Sequence, residues 1–199
     1  MRVVEPRRYI FGLTGYPLGH SMSPVIHKAL FEISGIDASY VMVETPPEEL
    51  GDSFRKSLSA MRGFNVTIPH KINIIRYLDE LSPRAKLFGA VNTVDVGEDN
   101  IVGHNTDCAG FLSALQMAGI ELGGNVLLLG SGGVARMIAF EAILAEADLT
   151  IAVRESGIPS ADKIKKEIKE KLNKDCKVIL LSEATGGYDL VINGTPVGM

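Results

Sequence analysis

The stretch "NVLLLGSGGVARMIAFEAILAEADLTIAVRESG", residues 125–157, limits the possible folds more than any other part of the chain. A short apolar run reads as a buried strand, and three glycines (Gly130, Gly132, Gly133) follow it directly. A helical pattern comes next, then a second β-branched run, "DLTIAV". Strand, glycine turn, helix and strand make a βαβ unit, whose strands lie parallel because the helix carries the chain back across the sheet. "SADKIKKEIKEKLN" then reads as a helix, and "KVILL" and "YDLVING" as two more strands. The alternating charges of 162–175 fall at helical spacing and are a solvated helix face.

That frame gives the glycines a chemistry. A dinucleotide site needs a first glycine for the tight turn and a second so that backbone N–H groups can approach a pyrophosphate. It also needs a small residue, here Ala135, for close helix–strand packing. The phosphates would sit where uncapped N–H groups and the helix dipole favour negative charge. The plainer alternative is a glycine turn that only packs. At the end of the next strand, Arg154 favours the 2′-phosphate of NADP, while the adjacent Glu155 would repel it and leaves NAD open.

The first half of the chain alternates in the same way. "YIFGLTG" (9–15), "SYVMVET" (39–45) and "GFNVTI" (63–68) read as strands. Helices are expected over 23–35, 46–61, 71–81 and 82–90, the first with Ser23 as N-cap, Pro24 next and Gly35 as its stop. "VNTVDVG" and "NIVGHNT", separated by "GEDN", form a hairpin, and 106–119 is a helix joining two domains. The expected fold class is α/β. It comprises an N-terminal, mainly parallel α/β substrate domain (1–105), a linking helix (106–120) and a C-terminal, incomplete Rossmann-type dinucleotide-binding domain (121–199).

Composition narrows the partners. A net charge of −4 and a pI near 5.6, with no basic stripe, argue against a nucleic-acid surface. No apolar run reaches the roughly 18–20 residues of a membrane span, and "MRVVEPRR" carries no signal-peptide core. Cys108 and Cys176 offer no disulfide framework and suit reduced thiols in a cytoplasmic protein. The four histidines fall in no metal-binding pattern, so no metal is expected.

Polar residues cluster at the ends of the apolar runs, where a parallel sheet presents its ligands. Ser21 and Ser23, just ahead of a helix, could bind a carboxylate or serve only as caps. Asn65 and Thr67 share one strand face by the period of two, and Asn92, Asn105, Thr106 and Asp107 follow in later motifs.

Taken together, "GYPLGHSMSP", "GFNVTIPHK", "GAVNT", "GHNTDCAG", "LLLGSGGVAR" and "INGTPVGM" resemble the shikimate dehydrogenase family, in the family's order and over almost the whole chain. The resemblance implies reversible, NADP-linked reduction of 3-dehydroshikimate to shikimate. Ser21 and Ser23 match the pair that binds the substrate carboxylate, and Asn65, Thr67, Asn92 and Asp107 match the side chains on the ring hydroxyls. Lys71 matches the catalytic lysine, with Asp107 beside it in the family's pattern. Gly130, Gly132, Gly133 and Val134 match the pyrophosphate loop, and Arg154 the arginine of an Asn-Arg-Thr cofactor motif. Asn193, Thr195 and Met199 fall in the segment that passes the nicotinamide.

The chemistry suits a lysine that gives and takes a proton, provided its pKa falls from near 10.4 toward neutrality. Burial and the start of a helix at Pro69 are the expected causes, with Asp107 opposing the shift and aiming the ammonium. The chain departs from the family at Val153-Arg154-Glu155 and in stopping at "NGTPVGM", so a C-terminally incomplete chain is expected. The partner is a small molecule, and the assembly a monomer or homodimer. The alternatives are a quinate/shikimate dehydrogenase using NAD, a non-catalytic module that binds the same ligands, and a methylenetetrahydrofolate dehydrogenase.

Overall fold

A computed structural model describes residues 9–198, which fall into two compact units divided between Thr106 and Asp107. The first unit begins with β1 (Tyr9–Gly15), α1 (Ser23–Ser34) and β2 (Ala38–Glu44). It continues through α2 (Leu50–Lys56), β3 (Gly63–Val66), β4 (Glu80–Leu81) and α3 (Pro83–Phe88). The hairpin β5 (Thr93–Val96) and β6 (Ile101–His104) closes it. These strands form one six-stranded sheet in the order β2-β1-β3-β5-β6-β4. Five run in one direction, and β5 alone runs against them.

That single reversal matters for function. The N-terminus of β5 and the C-terminus of β6 both come to the edge where β1, β2 and β3 end, so residues from five segments collect there. The two sheet faces are distinct. Phe64, Val66 and Val94 point into a core that also takes Leu50, Phe54 and Leu58, spaced four apart along one side of the α2 segment. Asn65 and Thr93 are directly paired on the opposite face.

Two expected helices take other forms. The segment 46–61 is α2 flanked by 3₁₀ turns at Pro47–Glu49 and Leu58–Ala60, because Ser57 leaves helical geometry at φ −134°. The segment 71–81 contains only a 3₁₀ turn, Asn73–Tyr77, before β4. Its isoleucines and asparagine are poor helix formers, and the core holds Ile74 fully buried while Glu80 and Leu81 pair with β6. Ser23 is also not the cap of α1: Met22 occupies the N-cap position, and Ser23 is the first helical residue. Gly35 ends that helix, as expected.

The second unit holds α4 (Asp107–Met117), β7 (Asn125–Leu129), α5 (Gly133–Leu144) and β8 (Asp148–Val153). It ends with α6 (Ile158–Leu172), β9 (Lys177–Leu180) and β10 (Leu190–Asn193). The sheet is wholly parallel in the order β10-β7-β8-β9, so the chain reverses its winding between β7 and β10, as in a Rossmann fold. Val126, Leu127 and Leu128 are buried, as befits a strand covered on both faces. α6 buries Ala161, Ile164 and Ile168 and turns its charges outward. Arg136 of α5 and Glu167 of α6 form a half-buried ion pair, with the Arg136 guanidinium 5.0 Å from the Phe140 ring centre. Burial alone would raise the Glu167 pKa, but the hydrogen bond and charge of Arg136, with Lys171 and Lys163, hold it below its ordinary 4.5.

Cys108 and Cys176 are free and buried. Among the described residues, no helix is long and apolar enough to cross a membrane, and no cluster of three potential metal ligands occurs.

Candidate functional site

At the strand-end edge of the first unit, side chains from five segments join in one hydrogen-bonded chain. The amide of Asn65 donates through Nδ2 to the main-chain carbonyl of Asn92 at 3.3 Å and to Oγ1 of Thr93 at 3.2 Å. Thr93 in turn donates to Oδ1 of Asn92 at 3.0 Å, and Asn92 donates to Oγ1 of Thr106 at 3.0 Å. On the other side of the amide, the Tyr40 hydroxyl lies 2.8 Å from Oδ1 of Asn65. Ser21 and Ser23 meet at 3.1 Å through their hydroxyls, and the N–H of Ser23 donates to Oγ of Ser21 at 3.2 Å.

The ring of His27, on α1, stacks on Tyr40 with centres 4.1 Å apart and planes 7° from parallel. Burial pushes the Tyr40 hydroxyl up to about 12, against the opposing effect of a hydrogen bond from Ser23. Burial likewise lowers His27, against the raising effect of its hydrogen bond to Asn65.

Lys71 lies just past β3, half-buried, with its carbonyl accepting from the N–H of Val91 at 2.7 Å, one residue before Asn92. No helix begins at Pro69, so the expected helix-dipole effect on this lysine does not arise. His70, its neighbour, is fully buried with Nε2 2.6 Å from the carbonyl oxygen of Thr45. Thr67 is fixed through its main chain, which donates to the Thr14 carbonyl at 2.9 Å, and it stands outside the side-chain network. Asn105, buried, holds the Ala90 carbonyl at 3.0 Å and so braces the loop that carries Asn92.

In the second unit, a cavity of about 480 Å³ opens at the carboxyl ends of the strands, lined by Gly130, Ser131, Arg154, Ser156, Asn193 and Thr195 among others. It lies at the reversal of strand order, where open α/β sheets take their ligands. Gly130 has φ 102°, which other residues rarely adopt, and it makes the turn out of β7. Gly132 caps α5 with no side-chain hydrogen bond, and a side chain at Gly132 or Gly133 would meet nothing within 4 Å. Free N–H groups over open space suit a pyrophosphate, so the residues present fit a dinucleotide. Val134 follows in the first turn, exposed. Gly194 lets β10 and α5 meet closely: a Cβ there would lie 2.9 Å from that of Ala135.

Arg154 is exposed at the rim, with no ion-pair partner among the described residues. Asn193 accepts through Oδ1 from Thr195 N at 3.0 Å and from Thr195 Oγ1 at 2.6 Å, so both shape the turn after β10. Asp107 is the first residue of α4, exposed, and favourable to that helix's dipole. Met199 lies outside the described residues.

Sequence reasoning missed Tyr40, His27 and Thr93 as parts of the polar network. Tyr40 and Asn65 are not on neighbouring strands; both flank β1, opposite Phe11 and Leu13 respectively. That register depends on strand pairing, which local patterns do not carry.

A family model described as the shikimate dehydrogenase substrate binding domain matches residues 13–94. The chain is 40% identical over 207 residues to the shikimate dehydrogenase (NADP(+)) of Methanocaldococcus jannaschii, covering 99% of this chain and 71% of that relative. It resembles a crystallised shikimate dehydrogenase in complex with NADP+ at a TM-score of 0.88 and 38% identity, over 98% of this chain and 69% of the other. A second, from Listeria monocytogenes in complex with shikimate and NAD, gives a TM-score of 0.86 at 34% identity, over 100% of this chain and 72% of the other.

Proposed function

The chain belongs to the shikimate dehydrogenase family, and from that premise we propose that it reversibly reduces 3-dehydroshikimate to shikimate with NADPH, toward the aromatic amino acids. The observation that carries this reading is the polar chain at one sheet edge, with Ser21, Ser23, Asn65 and Asn92 joined to it and Lys71 tied beside Asn92.

The cofactor, when bound, supplies or accepts the hydride at the substrate carbon. The chain's own residues do the rest. Ser21 and Ser23 hold the substrate carboxylate through their hydroxyls. Asn65, Thr67 and Asn92 take the ring hydroxyls. Lys71 gives a proton to the carbonyl oxygen during reduction and takes it back from the hydroxyl during oxidation. Asp107 is assigned to the same proton transfer, and to a ring hydroxyl, by resemblance alone.

Gly130, Gly132, Gly133 and Val134 receive the pyrophosphate at the uncapped start of α5. Arg154 takes the 2′-phosphate, and Asn193 and Thr195 shape the cavity wall beside the nicotinamide. Glu155 beside Arg154, and the NAD held by the Listeria relative, support NAD as a second cofactor. The two buried thiols suit a cytoplasmic enzyme, and the expected assembly is a monomer or homodimer.

Steady-state assay with shikimate and each dinucleotide tests the reading. Shikimate-dependent NADPH formation should be seen, and Lys71→Ala should lower kcat by about 10²–10⁴-fold with shikimate affinity little changed. Absence of turnover with Lys71 intact would overturn the enzymatic assignment, and shikimate binding without turnover would favour a binding module.

A further inference from the structure

We propose that Tyr40 is a positioning residue for substrate recognition: its hydroxyl fixes the Asn65 amide so that Asn65 meets a ring hydroxyl of the substrate as a hydrogen-bond donor. This rests on the assignment of Asn65 to those hydroxyls.

The direction of each hydrogen bond follows from one group that can only accept. The main-chain carbonyl of Asn92 accepts from the Asn65 amide, so Nδ2 faces Asn92 and Oδ1 faces Tyr40. The Tyr40 hydroxyl must therefore donate to Oδ1. Its lone pair accepts the hydroxyl of Ser23, so Tyr40 stands between the serine pair and the amide. A phenol is protonated at neutral pH and burial pushes its pKa higher still, so it remains a donor.

Bond lengths indicate which contacts a ligand can exchange. The Tyr40 bond to Oδ1 has the optimal O–H···O length, 2.8 Å, whereas the two bonds from Nδ2 are 3.2 and 3.3 Å, at or beyond the long end of the normal range. An incoming hydroxyl oxygen can displace either Nδ2 contact while Oδ1 stays with Tyr40. The His27 ring, stacked flat on Tyr40, holds the phenol at that angle. Without the Tyr40 oxygen, the amide keeps only its hydrogen bond with His27 on that side, and it could turn over and present its oxygen where the nitrogen now points.

Tyr40→Phe keeps the ring and its stack and removes only the oxygen. Calorimetry on the full chain should give a shikimate Kd raised about 3–10-fold, the size of one neutral hydrogen bond. The NADP Kd should be unchanged, which also reports an intact fold. For one of the shikimate analogues lacking a single ring hydroxyl, Tyr40→Phe should have no effect, because the contact it positions is already absent. An unchanged shikimate Kd would overturn the proposal, as would equal weakening of shikimate and every such analogue. Asn65→Ala separates the two levels. If it weakens shikimate and Tyr40→Phe does not, the positioning role fails and the site reading stands; if neither variant weakens shikimate, both fail.

Discussion

Nε2 of His70 lies 2.6 Å from the carbonyl oxygen of Thr45, and both residues are fully buried. A carbonyl only accepts, so Nε2 carries the proton and the bond joins the loop after β3 to the end of β2. The hydroxyl of Thr45 continues the connection to Thr14 at 3.0 Å. This buried polar knot lies immediately before Lys71. His70→Ala would strand the Thr45 carbonyl and open a cavity, and should lower stability by about 2–4 kcal/mol. Urea denaturation measures it, and an unchanged midpoint would mean that the bond contributes no net stability.

Gly194→Ala should act at a distance on cofactor binding. A methyl group there would press on Ala135 and on the Leu129 carbonyl, 3.1 Å away, and force α5 back from the sheet. The loop of Gly132 and Gly133 would move with it. NADP affinity should fall while shikimate affinity holds, with a stability loss of about 1–3 kcal/mol from overpacking. Titration with each ligand separates this outcome from general unfolding.

Arg154→Ala should discriminate between dinucleotides. Loss of a charge-assisted bond to phosphate corresponds to roughly 10–100-fold weaker NADP binding. NAD, which lacks the 2′-phosphate, should bind as before. Equal weakening of both would show that Arg154 touches some other part of the nucleotide.

The pair of Arg136 and Glu167 should make the second unit acid-sensitive. Because the folded-state pKa of Glu167 is depressed, its contribution is present above its ordinary 4.5 and is lost as pH falls through the lower folded value. Thermal unfolding of the wild type and Glu167→Gln should therefore differ at neutral pH and converge in acid. A gap that does not change with pH would locate the effect in packing against Phe140 instead.

Much of this molecule was legible in its sequence because its signals are local. The glycine turn after 125–129, the charged face of α6 and the "GEDN" hairpin each follow from residues adjacent in the chain. Two readings failed where the core outweighed local preference. Ile74 must point inward and Glu80–Leu81 must reach β6, so 71–81 could not remain one helix. Ser57 likewise breaks 46–61 after Leu50 and Phe54 have been buried. The polar site was half legible. Asn65 and Asn92 stood out at the ends of apolar runs, but Tyr40 reaches Asn65 only across β1, through a pairing set by the whole sheet.

The reversed course of β5 also separates two zones of evolutionary and engineering freedom. The open end of the hairpin carries Asn92, Thr93 and Thr106, whereas its closed end, residues 97–100, lies at the opposite edge of the sheet, fastened by Gly97 N to Asn100 O at 2.9 Å. Residues inserted at the closed end lengthen only a surface turn. A single residue inserted between 91 and 93 would instead displace Asn92 from Asn65 and Thr106. A reporter group or purification tag could be grafted at 98–99 with ligand recognition intact, whereas the opposite end of the same hairpin tolerates no change of length.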